Sequence, residues 1–168
     1  MIIIKFKNEN YRNTYINGIG TVGRLMQYIL DPAKTTPYLC GSRGLYITNM
    51  TDMENQFYAI QSLYGKTDIN TLSHIIISFS RDTLLYEDSI KLIAESISDH
   101  LYHNHQLLYA IHTNKPNLHI HFIVNPVSYR NGKPFKENTT TVKILYTLIR
   151  SAIYQLDPEI NLGKCIYE

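Results

Sequence analysis

A chain of 168 residues, 44% hydrophobic and 18% charged, is suited to one globular domain spanning residues 1–168, and its formal charge of +2 permits a nucleic-acid partner without requiring one. MIIIKFKNEN is broken by Lys5 and Lys7 before a signal-peptide core develops, and no apolar run approaches the roughly 18 residues that span a bilayer, so no membrane partner is expected. Cys40 and Cys165 lie far apart and form neither a CxxC pair nor a disulfide framework, which points to a cytoplasmic location.

Residues 2–6, IIIKF, read as a first strand. From about Thr21 to Leu30 the apolar residues Val22, Leu25, Met26 and Ile29 share one face of a short helix, stopped by Asp31-Pro32, with Tyr28 in its last turn. Residues 38–49, with GSRG, read as a loop with a short strand at LYIT. A second helix follows in MTDMENQFYAIQSLYG, ending at Gly65. LSHIIISFS is a β-branched run of strand length, and DTLLYEDSIKLIAESISDHLY repeats Ile90, Ile93, Ala94, Ile97 and Leu101 at helical spacing. Strands at about 107–113 and 118–127 flank a short polar turn. Asn131-Gly132 signals a hairpin with a further short strand through Pro134-Phe135, and a last helix covers about 139–156. Strands joined by short turns exclude parallel crossovers, so the expected fold class is α+β: a mainly antiparallel sheet of about five strands flanked by helices.

The stretch LHIHFIVN, residues 118–125, carries the chemistry. Side chains alternate on a strand, so Leu118, Ile120, Phe122 and Val124 share one face and His119, His121, Ile123 and Asn125 the other. If 107–113 folds back through a four-residue turn at 114–117, His112 lies opposite His119 and points to the same face, while Ala110 opposite His121 leaves room. A lone histidine is usually a hydrogen-bonded structural residue. Three on one face of one hairpin predict a metal site, with coordination positions left open for substrate or water. A slip of one residue would separate His112 from the pair. Asn125 reads equally as a support for a ligand or as a turn-capping residue, and which way the His74 face looks is not legible. His100, His103 and His105 sit at a helix end and the following loop, where they complement the helix dipole.

AIHTNKPNLHIHFIVNPVS resembles the metal-binding motif of the relaxase/mobilisation nuclease family of HUH endonucleases, a histidine followed seven residues later by HxHxxxN, here His112, His119, His121 and Asn125. LMQYILDPAKT resembles that family's N-terminal nucleophile motif, LSHIIISFSRD its second motif, and SYRNGKPF the hairpin after the metal strand. The resemblance implies an antiparallel sheet flanked by helices and a relaxase that nicks single-stranded DNA at a transfer origin. It also implies Tyr28 as nucleophile, and auxiliary mobilisation proteins and a coupling protein as partners. One departure is visible: many relatives carry an acid two residues after the first histidine, where this chain has Asn114, so no general base is assigned there.

Fourteen tyrosines make Tyr38, Tyr11 and Tyr15 rivals to Tyr28. A phenol titrates near 10, which leaves about one phenolate in a thousand at pH 7. Lys34, Arg43, Lys115 and His74 are candidates to assist it. Lys34, Arg43, Lys66, Lys115, Arg130, Lys133 and Lys136 are candidate DNA-binding residues, with the 128–136 hairpin and the 34–43 segment as the DNA-facing part, although scattered cations also mark an ordinary solvated surface. Three neutral nitrogens accept Zn, Co, Ni or Mn more readily than Mg, whereas the family works with Mg or Mn. The expected cofactor is therefore a divalent metal ion, Mn or Mg in function, with Zn, Co or Ni as other occupants. Two rival functions are a rolling-circle replication initiator and a non-catalytic metal-containing DNA-binding module. The initiators commonly place their tyrosine after the HxH motif, and Tyr28 lies before it.

Overall fold

A computed structural model of the protein describes residues 1–7, 18–67, 72–83, 85–135 and 137–168. The strands are β1 (Ile2–Lys7), β2 (Cys40–Arg43), β3 (Ser73–Phe79), β4 (His105–His112), β5 (His119–Ser128) and β6 (Cys165–Tyr167). The helices are α1 (Thr21–Ile29), α2 (Met50–Leu63), α3 (Glu87–His100) and α4 (Thr139–Leu156). Among the described residues the strands form one sheet in the order β2-β4-β5-β3-β1-β6, antiparallel except where β6 runs parallel to β1. The class is α+β as expected, with six strands in place of about five.

Alternation on the strands divides the core into two layers. Ile120, Phe122 and Val124 of β5, with Ile111 and Tyr109 of β4, pack under Ile90, Ile93 and Ile97 of α3 and Leu145, Ile149 and Ile153 of α4. On the opposite face, Leu108, Ala110 and Ile123 pack under Val22, Met26 and Ile29 of α1 and Met53 and Phe57 of α2. The helix stripes predicted from the sequence are these faces. Helix α4 starts on a capping box of Asn138 and Thr141, which satisfies donors that its first turn would otherwise leave open.

Three local expectations are corrected. The extra strand is CGSR, not LYIT: β2 pairs with β4 from Cys40↔Ala110 to Arg43↔Leu107. Gly41 suits that edge because a Cβ there would lie 2.5 Å from the Tyr109 ring. After β5, Pro134 makes only an isolated bridge to Val127 in place of a strand. Strand β4 begins at His105, so that histidine belongs to the sheet and not to a loop.

Candidate metal centre and tyrosine site

Strands β4 and β5 pair in the register that the four-residue turn predicts, with His112 opposite His119 and Ala110 opposite His121. The three imidazoles are buried, and one ring nitrogen from each lies within 4.8 Å of the other two. The hydrogen bonds fix which nitrogens are left. His112 donates Nε2–H to the carbonyl of Ile29 at 2.9 Å, and His119 donates Nδ1–H to the carbonyl of Asn117 at 3.0 Å. Each therefore keeps a lone pair on its other nitrogen. His121 Nε2 is buried with no hydrogen-bond partner among the described residues, a vacancy that costs about 1–3 kcal/mol unless something binds it. Such a donor set fits a divalent ion.

His74 joins this cluster from β3. It pairs with Ile123, one step diagonal to His121, and its Nε2 lies 2.9 Å from His121 Nδ1. With His74 accepting, His121 is held in the tautomer whose Nε2 lone pair faces the cluster. Burial keeps the group neutral, as metal ligation requires. It pulls His121 down to about 2, helped by the neighbouring imidazoles, and His74 down to about 4, and it also lowers His112 and His119.

Tyr28 stands over the cluster, its ring centroid 5.8 Å from those of His112 and His121, and the residue is 46% exposed. Two ties hold its segment to the end of β4: the His112 bond to Ile29, and Thr113 N–H donating to the carbonyl of Lys34 at 2.9 Å. Lys34 Nζ lies 3.8 Å from the Tyr28 ring centroid and 2.9 Å from Asp31. The Asp31 carboxyl is held below its usual range by the Ala33 N–H first and by Lys34 second.

The start of α1 is set by a residue that the sequence reading did not single out. Gly20, the residue before the helix, offers no side-chain cap. Glu54 of α2 supplies one, its carboxylate accepting from Gly20 N–H at 2.8 Å and Gly23 N–H at 3.3 Å while fully packed away from solvent. A Cβ at residue 20 would overlap that carboxylate. Glu54→Ala is expected to lower stability by about 1–3 kcal/mol, read from the urea midpoint, because two buried N–H groups lose their acceptor. The available signal was its place in the α2 stripe of Met50, Met53, Glu54 and Phe57, where a polar residue sits at core spacing.

The other sequence-named residues spread more widely. Lys115 lies in the turn beside His119, close enough to lower its basicity. Arg43 pairs with Asp99 of α3, on the far layer. Arg130 and Lys133 are exposed beyond the carboxyl end of β5, which at about 3.3 Å per residue puts them roughly 30 Å from His119. Lys66 is exposed after α2, and Lys136, Tyr11 and Tyr15 lie outside the described residues. Tyr38 donates its hydroxyl to Asp88 at 2.8 Å, a contact that raises its pKa.

Asn125 does not touch the imidazoles. Fully buried, it donates to the carbonyl of Phe57 at 3.0 Å and to Gln106 Oε1 at 2.9 Å, and accepts from Gln61 at 3.2 Å and Val127 N–H at 3.1 Å. It ties α2 to the sheet. Asn125→Ala is expected to cost about 2–4 kcal/mol in chemical unfolding, more than a surface asparagine would, since several buried groups lose a partner at once.

The chain resembles known proteins over much of its length. A stretch of 85 residues, 51% of the chain, is 25% identical to Protein rlx of Staphylococcus aureus, and the match spans 26% of that protein's length. Residues 28–152, which run from Tyr28 through the three histidines into α4, match the MobA/VirD2-like relaxase nuclease domain, and the chain belongs to that family.

Proposed function

We propose that the chain nicks single-stranded DNA at a transfer origin, site- and strand-specifically, by tyrosine transesterification, in the conjugative transfer or mobilisation of a plasmid or integrative element. The observation that carries this reading is the placement of an exposed tyrosine over three buried imidazoles in a chain of the relaxase nuclease family. Tyr28 Oη gives up its proton and attacks phosphorus, the bond from phosphorus to the 3′-oxygen breaks, and that oxygen takes up a proton and leaves as a 3′-hydroxyl. The product is a 5′-phosphotyrosyl ester that keeps the bond energy, so the freed 3′-hydroxyl can later reverse the step.

His112, His119 and His121 would hold a divalent cation, with His74 orienting His121. When bound, such an ion supplies charge stabilisation for the phosphoryl oxygens and orients the ester. Lys34 is placed to favour negative charge on the phenolic oxygen and on the adjoining phosphate, and Asp31 keeps its ammonium against the ring until DNA arrives. Lys115 would meet a neighbouring phosphate. Arg130 and Lys133 would grip a segment of strand farther along the same molecule. Auxiliary mobilisation proteins and a coupling protein are the partners such an activity would need.

The test is to incubate the protein with single-stranded oligonucleotides and Mn or Mg, look for a denaturant-resistant adduct, and map the modified tyrosine. An adduct on Tyr28 supports the reading. Metal and DNA binding with no adduct would leave a non-catalytic binding module.

A further inference from the structure

Along α1 and the segment that follows it, with none of the three imidazoles in its lining, the surface sinks into a depression of about 500 Å³. That volume lies within the range of small-ligand sites, roughly 300–1,000 Å³, and is ample for one nucleotide. Tyr28 forms part of its wall, so a ligand here touches the residue proposed as nucleophile. Leu30, Pro32 and Met50 add apolar surface, and Arg24, Gln27, Asp31 and Lys34 add polar side chains to the same lining. A lining that mixes an aromatic ring and apolar side chains with polar ones suits a flat, amphipathic ligand such as an unpaired base, whose faces stack and whose edge hydrogen-bonds.

Most of the polar lining is already engaged. Arg24 donates to the carbonyl of Ile19 at 2.9 Å and to Thr21 Oγ1 at 3.2 Å, and Lys34 and Asp31 pair with each other. Gln27 differs: it is exposed on the same helix face, three residues after Arg24, and no hydrogen bond engages its carboxamide among the described residues. A carboxamide presents one donor and one acceptor side by side, the pattern that a base edge with adjacent acceptor and donor answers in a bidentate pair.

We infer that this depression receives the base of one nucleotide flanking the scissile phosphate, and that Gln27 reads its edge. The inference rests on the proposed nicking reaction and adds to it a determinant of sequence specificity. A strand whose phosphate sits beneath Tyr28 has its adjoining nucleotide within reach of the same ring.

The experiment uses the full chain, Mn, and a pool of randomised single-stranded oligonucleotides. Covalent adducts are isolated under denaturing conditions and their DNA sequenced, giving base frequencies on both sides of the cleaved bond. The wild type is expected to show a base bias at one of the two flanking nucleotides. Gln27→Ala should reduce that bias about tenfold, in line with the loss of one bidentate pair, while still forming adducts. Gln27→Glu, which exchanges the donor for an acceptor, should move the preference to another base. Both variants should keep the wild-type unfolding midpoint, since Gln27 is exposed. A flanking bias that survives Gln27→Ala unchanged, or wild-type adducts with no flanking bias, overturns the subsite and leaves the nicking reaction standing. No adduct from the wild type overturns the reaction and the subsite together.

Discussion

A Tyr28→Phe variant is expected to form no covalent adduct with single-stranded DNA, while its affinity for the same oligonucleotides and its unfolding midpoint stay near those of the wild type. The hydroxyl is the only group removed, and among the described residues no hydrogen bond engages it, so deletion strands no buried partner. The ring that meets His112, His121 and the Lys34 ammonium remains. What disappears is the oxygen that would bond to phosphorus, and no positioning by neighbours replaces a missing nucleophile. The check is denaturing electrophoresis for the adduct, paired with fluorescence anisotropy for binding. Tyr38→Phe serves as the control and should leave the adduct intact, because that hydroxyl is committed to Asp88 and carries a raised pKa. An adduct that persists in Tyr28→Phe would remove Tyr28 from the mechanism.

The pairing that brings His112 to His119 was legible because a four-residue turn leaves little freedom of register, and because alternation on β5 assigns every second residue to one face. The α1 and α3 stripes were legible for the same kind of reason, a local period imposed by one core face. Contacts set by distant partners were not legible. CGSR is a strand because β4 offers it an edge and Tyr109 leaves no room for a Cβ at residue 41, and neither condition appears within residues 38–49. Strand β6 is three residues long and exists through its parallel pairing with β1, to which no local pattern points. His74 lies on a strand that joins the site across β5, so its role depended on sheet order. Asn125 shows the opposite limit: a motif position can sit beside the site in sequence while its side chain ties down a helix some 13 Å along the strand from His121.

The same hydrogen-bond pattern sets the second large effect, a loss of metal binding that is graded along β3 and β5. His121 is the member of the cluster with a buried, unpartnered Nε2, so a bound cation would relieve a penalty that the protein otherwise carries. Titration of the wild type with Mn or Zn is expected to raise the unfolding free energy by about 2.7 kcal/mol when the free ion reaches 100 times its Kd. His121→Ala should abolish that rise, because two remaining imidazoles hold an ion poorly. His74→Ala removes no ligand and should weaken binding by about 10–100-fold, the usual cost of losing the group that orients a ligating histidine. His100→Ala, at the carboxyl end of α3 with its ring against the Ser96 carbonyl of the same helix, should change nothing. Calorimetric titration and metal-dependent shifts in Tm read all four proteins without DNA, so the ordering stands apart from catalysis. Equal affinities in the wild type and His121→Ala would mean that the imidazoles form a buried polar cluster and not a metal centre, and the phosphoryl charge would then fall to Lys34 and its neighbours alone.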